Sequence, residues 1–161
     1  MSPAPSSMRF SHLGRCGVYR IIDANLNRSR EGLRVCEEVV RFGLSSSSLT
    51  KELKSVRHAV SLIAKEHYKK RGALSFARDS SGDVGRVSGK PSEMRRSGFR
   101  DIFTANAQRA KESLRVLEEF YKLKDKKIST RFSRLRFRVY EIERKVSGRI
   151  EALSRLKKAL A

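Results

Sequence analysis

The sequence predicts an all-α fold: a four-helix bundle of two pseudo-symmetric helical hairpins, with a long central loop containing glycine and aspartate and a short C-terminal helix. Three observations predict it. Apolar and small residues recur at alternating spacings of four and three. A fifteen-residue block occurs twice at an offset of 81, with nine identical pairs. Gly (10) and Pro (3) are scarce in the 161 residues, as long helices require.

The first helix is read from Ile22, Leu26, Ser29, Leu33, Cys36 and Val40, the stripe of an amphipathic helix facing a core. Phe103, Ala107, Ala110, Leu114, Leu117 and Tyr121 repeat it. Neither segment alternates with period two, which argues against strands. Each stripe has a companion: Leu53, Val56, Arg57, Val60 and Ile63 match Phe132, Leu135, Arg136, Val139 and Ile142 at an offset of 79. Ser45 to Ser48 separates the first pair of helices and offers hydroxyl caps; Lys124 to Thr130 does the same in the second half. The repeat halves are thus about 20–69 and 101–146, joined by a loop at 70–100 with no sustained periodicity. Connections of that length are commonly functional or disordered. Residues 1–19 read as a weakly structured lead-in, and 147–161 as a helix or connector carrying Ile150, Leu153, Leu156 and Leu160.

The formal charge is +20 with 34% charged residues. Excess Lys and Arg suits nucleic acid or several phosphate groups. Here the basic residues spread around helical faces, without interleaved stacking aromatics or a nucleic-acid motif, so nucleic-acid binding is the lesser reading. No apolar run reaches membrane-spanning or signal-peptide length. Cys16 and Cys36 have no metal spacing, and Cys36 lies in the core stripe; a reduced, cytoplasmic setting is expected. His12, His58 and His67 have no ligand spacing, and His58 aligns with Phe137 as a packed residue.

The repeated polar residues carry the functional signal. On a helical wheel Arg28, Glu31 and Val35 fall opposite the core stripe with Asn25 on the flank, and Asn106, Arg109 and Glu112 stand equivalently. A core explains repeated leucines but not a repeated Asn, Arg and Glu. Arg34, Glu37, Glu38, Arg115, Glu118 and Glu119 read more simply as ion pairs on a solvated face. Asparagine is a poor helix former, so its double occurrence suggests that its amide faces something specific. In the loop, Asp79 and Asp83, separated by small residues, suit a magnesium ion, while Arg78 and the backbone amides, Gly85 among them, face phosphate. The alternative there is an ordinary Asp-Gly turn. No Walker-type loop, protein-kinase signature or Ser-His-Asp arrangement occurs.

Three separated blocks, Arg20 to Val35, Arg78-Asp79 with Gly82 to Gly85, and Ala105 to Glu119, resemble in that order the small all-helical hydroxymethylpyrimidine phosphate kinases of thiamine biosynthesis, often fused ahead of thiamine phosphate synthase. The resemblance runs from about Arg20 to Val146. It implies transfer of phosphate from ATP, with magnesium, to 4-amino-5-hydroxymethyl-2-methylpyrimidine phosphate. For that reaction the repeated polar residues, not the family resemblance, suggest the roles: Arg28, Arg109 and Arg78 are expected to be catalytic cations. Asn25, Glu31, Asn106, Glu112 and Gly85 are expected to contact substrate, and Asp79 and Asp83 to hold Mg2+. Thiamine phosphate synthase is an expected partner, and the bundle is compatible with a homodimer. The competing expectation is a non-catalytic basic helical module that docks on nucleic acid or on such a synthase.

Overall fold

A computed structural model describes residues 7–69 and 96–160. Four helices account for nearly all of them: α1 (Ser7–Glu38), α2 (Ser47–Lys69), α3 (Phe99–Lys122) and α4 (Lys126–Ala159). A π-helical turn, Val39–Gly43, ends α1. The four-helix bundle of two hairpins is therefore present, and no strand occurs among the described residues.

Each hairpin packs its own two helices, and the hairpins meet along α1 with α3 and α2 with α4. Every residue of both α1 and α3 stripes is buried, from Ile22 to Val40 and from Phe103 to Tyr121. Leu53, Val56, Val60 and Ile63 close the core from α2, and Phe132, Leu135, Val139 and Ile142 close it from α4. Transfer of these side chains from water is the main driving term.

Cys36 Sγ lies within the core and donates to the Phe103 carbonyl at 3.6 Å. Burial, reinforced by the Glu143 carboxylate, pushes its thiol up to about 12. It stays protonated at neutral pH and serves as a packing atom.

The ends of the helices differ from the expectation. In place of a weakly structured lead-in over 1–19, α1 already begins at Ser7. In place of a separate C-terminal helix, α4 runs without a break through Ser147 and Gly148. One glycine costs a helix interior only about 1 kcal/mol, and nothing lies within 4 Å of the point where a Gly148 side chain would begin. The last nine residues of α4, 151–159, are all exposed. The start of α4 is capped by a carboxylate rather than a hydroxyl: Asp125 Oδ1 accepts from the backbone N–H groups of Lys127 at 2.9 Å and Ile128 at 3.2 Å. Before α2, the Ser46 hydroxyl sits 3.5 Å from that of Ser48. His58, expected to pack, is exposed, as is its counterpart Phe137.

The solvated-face reading of the six repeated charges also needs correction. They do form ion pairs, but Glu37 and Glu118 are buried, with 4% and 7% of their surface exposed. Glu37 bridges Arg34 on its own helix to Arg57 of α2, the latter at 2.8 Å. Glu118 repeats this between Arg115 at 2.9 Å and Arg136 of α4 at 3.0 Å. Each half is thus clasped by the same arginine–carboxylate–arginine bridge. Desolvation pulls the Arg136 guanidinium down, but its hydrogen bond and charge contact with Glu118 outweigh that and hold it above its ordinary value.

Candidate functional site

The site begins where α1 meets α3. Cys36 contacts Phe103, while a side chain on Gly32 would start 2.8 Å from the Asn106 carbonyl oxygen and 3.4 Å from the Ala110 nitrogen. As position rises along α1 it falls along α3, so the two helices run antiparallel. Gly32 and Ala110 form a seam of small residues that lets the backbones approach closely, and Ser29 and Ala107, also small and buried, lie next to them along the stripes. Those pairings put the pseudo-two-fold axis relating the halves near Ser29 and Ala110.

A cleft of about 570 Å³ opens beside this seam. From α1 it is lined by Asn25, Arg28 and Glu31, and from α3 by Arg109, Glu112, Ser113 and Val116. Arg28 and Arg109 are repeat partners, and so are Glu31 and Glu112. The antiparallel crossing therefore delivers both copies of the motif to one cleft on the axis, not to two separate sites.

The charges in this cleft differ from those farther along the same helices. Arg34 pairs with Glu38 at 2.7 Å, and Arg115 with Glu119 at 2.8 Å. Arg28, Glu31 and Arg109 are exposed and enter no ion pair among the described residues, so the Arg28–Glu31 and Arg109–Glu112 pairs that the sequence allows do not form. Among the described residues Glu112 accepts from Gln108 alone, at 2.8 Å. Ionic groups that converge without neutralising one another are arranged for a ligand more readily than for stability.

The two asparagines behave alike toward their own helices. Asn25 Nδ2 donates to the Ile21 carbonyl and Asn106 Nδ2 to the Ile102 carbonyl, both at 2.8 Å. This fixes each amide and leaves its oxygen as an acceptor. They separate in position: Asn25 is buried and lines the cleft, whereas Asn106 lies at the seam under Gly32 and is not among the lining residues. Two further lining residues, Ser113 and Val116, were not singled out from the sequence. Val116 is the repeat partner of Val35, which the helical wheel set beside Arg28 and Glu31. Ser113 replaces Gly32 in the second copy, and its hydroxyl donates back to the Arg109 carbonyl at 2.8 Å.

The other expected site residues, Arg78, Asp79, Asp83 and Gly85, lie outside the described residues. Among the described residues no group of three or more His, Cys, Asp or Glu side chains is placed to hold a metal ion. The cleft supplies two carboxylates, Glu31 and Glu112.

The close approach at Gly32 gives one prediction. An alanine there gains helix propensity worth about 1 kcal/mol, but its methyl meets backbone that cannot swing aside. Overpacking of this kind costs about 1–3 kcal/mol, so Gly32→Ala will lower the urea midpoint despite the better helix former. An unchanged or higher midpoint would show that the seam yields easily.

No helix among the described residues is long and apolar enough to cross a membrane, and no solved structure matches the chain. Curated relatives match well. A thiamine-phosphate synthase of a Nostoc species is 44% identical over 131 residues, covering 81% of this chain and 36% of that protein. Thiamine-phosphate synthases of Synechocystis and Rhodopirellula baltica are 42% and 37% identical, again over 81% of this chain and 36% of theirs. The chain thus spans about a third of the length of the curated relatives it matches. The model of the ThiD2 family matches residues 20–145, taking in both halves of the repeat and every cleft residue, and the chain belongs to the ThiD2 family.

Proposed function

We propose that the chain is a phosphotransferase of thiamine biosynthesis that converts hydroxymethylpyrimidine phosphate to its diphosphate at the expense of ATP. The observation that carries this is the cleft itself, where the repeated arginines and carboxylates converge without pairing with one another. Membership of the ThiD2 family and the names of the relatives supply the pathway.

The chemistry matches the residues. An oxygen of the acceptor's phosphate monoester, already ionised near neutral pH, attacks the γ-phosphorus of ATP. The new P–O bond forms as the bond from that phosphorus to the β–γ bridging oxygen breaks, and ADP leaves with the electron pair. No strong general base is needed; catalysis consists of alignment and charge neutralisation. Arg28 and Arg109 approach from opposite sides of the axis and neutralise the phosphoryl oxygens. The fixed Asn25 oxygen accepts from the exocyclic amine of the aminopyrimidine, and Glu31 or Glu112 offers a second acceptor.

Magnesium, which accompanies ATP, fits a cleft with two carboxylates, because it keeps several waters and takes much of its coordination from phosphate. Asp79 and Asp83 of the central loop remain the proposed protein ligands, and Arg78 and Gly85 the proposed phosphate contacts there. Bound, the ion neutralises phosphate oxygens.

The relatives' names favour a second reading. A domain matching only part of each thiamine-phosphate synthase could dock on a synthase without doing chemistry. One assay separates the two. Purified chain, ATP, magnesium and hydroxymethylpyrimidine phosphate will give ADP and the diphosphate, read by coupled thiamine phosphate formation. Should ADP stay at background while the chain binds a thiamine-phosphate synthase, the docking module stands and the kinase falls.

A further inference from the structure

The two halves of the repeat diverge on one face. Where α2 carries His58 and Ser61, α4 carries Phe137 and Tyr140 at the same repeat positions. These rings lie with centroids 6.1 Å apart and tilted at 49°. They are 58% and 42% exposed, so they contribute little to the core. The first half folds without them, which removes a packing requirement as their reason.

A groove of about 460 Å³ runs beside them between α3 and α4, bounded by Gln108, Lys111, Arg115, Arg136 and Tyr140. Glu112 and Val116 line both this groove and the axial cleft, so one ridge separates the two. The cations in the groove already have partners. Lys111 holds Glu143 at 2.5 Å, Arg115 holds Glu118 and Glu119, and Arg136 holds Glu118. Their remaining capacity faces the rings: Lys111 Nζ lies 4.8 Å from the Tyr140 centroid, and the Arg136 guanidinium lies 4.8 Å from that of Phe137. Gln108 gives one N–H to Glu112 and keeps its amide oxygen.

Such a surface suits a flat, polar-edged ring rather than a phosphate, since stacking and cation–π contact are available and free positive charge is not. Arg28 and Arg109, which enter no ion pair among the described residues, stand just across the ridge. A ligand with a planar base at one end and phosphates at the other matches both.

We propose that the α3/α4 groove seats the base of a purine nucleoside triphosphate, stacked on Tyr140, with its phosphates crossing the Glu112–Val116 ridge toward Arg109 and Arg28. Resting on the kinase reading for its donor, this divides the molecule: the groove takes the donor's base, and the axial cleft takes the acceptor and the transferring phosphoryl group. It also accounts for the asymmetry of the repeat, because donor and acceptor differ and only one half needs an aromatic platform.

The test uses ADP and inorganic tripolyphosphate as probes on the intact chain, by calorimetric titration. Tyr140→Ser installs the residue that the first half carries, on an exposed position, and will weaken ADP about tenfold. It will leave tripolyphosphate binding within twofold. Tyr140→Phe keeps the ring and will bind ADP like the parent, and Phe137→His provides a second variant with the same expected direction. In turnover, Tyr140→Ser will raise KM for ATP without moving KM for the pyrimidine phosphate. Unchanged ADP affinity in folded Tyr140→Ser, or no ADP binding by the parent, overturns the proposal. ADP binding weakened by Tyr140→Ser in a chain that shows no phosphoryl transfer supports the groove and removes the kinase reading instead.

Discussion

Arg109→Ala will transfer phosphoryl groups about 10²–10³-fold more slowly than the parent while folding normally, and Arg28→Ala will do the same. The magnitude is that of removing one preorganised donor aimed at developing charge. Normal folding is expected because both guanidiniums are exposed and enter no ion pair among the described residues, and surface changes away from such features usually move stability by less than about 0.5 kcal/mol. The comparison that isolates the effect is Arg34→Ala. That arginine is also exposed, one helical face away, but its guanidinium is engaged by Glu37 and Glu38, so its loss will leave the rate nearly unchanged. Lysine at position 109 will restore only part of the rate, because a point charge does not reproduce bidentate contact with phosphate. The measurement is kcat/KM in the coupled assay, with circular dichroism as the folding check. Parental rates in both alanine variants would remove the arginines from the chemistry.

Leu114→Ala will cost about 2–5 kcal/mol of unfolding free energy. Leu114 is 0% exposed and sits midway along α3, in the stripe that faces the core. The seam on one side is already at closest approach through Gly32 and Ala110, so α1 cannot move in to fill the space and a cavity remains. Domains of this size are stable by about 5–15 kcal/mol, so the loss is a large share of the total. Urea titration with an unchanged slope is the expected signature. A loss below about 1 kcal/mol would mean that the core relaxes around the gap.

Much of the bundle was legible because apolar spacing encodes which face is buried, and every predicted stripe residue of α1 and α3 is in the core. The buried bridges were half legible. Arg57 and Arg136 interrupt otherwise apolar stripes at matched positions, which demands a carboxylate partner, but the partner's helix depends on tertiary packing. Helix ends were not legible: residues 7–19 and 147–159 extend their helices through Gly17 and Gly148, because a single glycine weakens a helix by only about 1 kcal/mol and does not end it. At the site, the repeat identified Asn25, Arg28, Glu31, Arg109 and Glu112, all of which the fold brings together. It could not show that they share one cleft, since that follows from the antiparallel crossing at the small-residue seam. Nor did it show that Asn106, whose backbone carbonyl faces Gly32, would stay out of the cleft's lining. The role of Tyr140 was hidden because the signal lies in a difference between the copies, not in their likeness.

The cleft is walled by the opening helix of each hairpin, so its two sides come from stretches of chain that meet only once the whole bundle has assembled. An occupant touching Arg28 and Arg109 together behaves like a removable cross-link between the hairpins. Occupancy and assembly are therefore thermodynamically linked, and whatever fills the cleft draws the population toward the assembled form in proportion to its saturation.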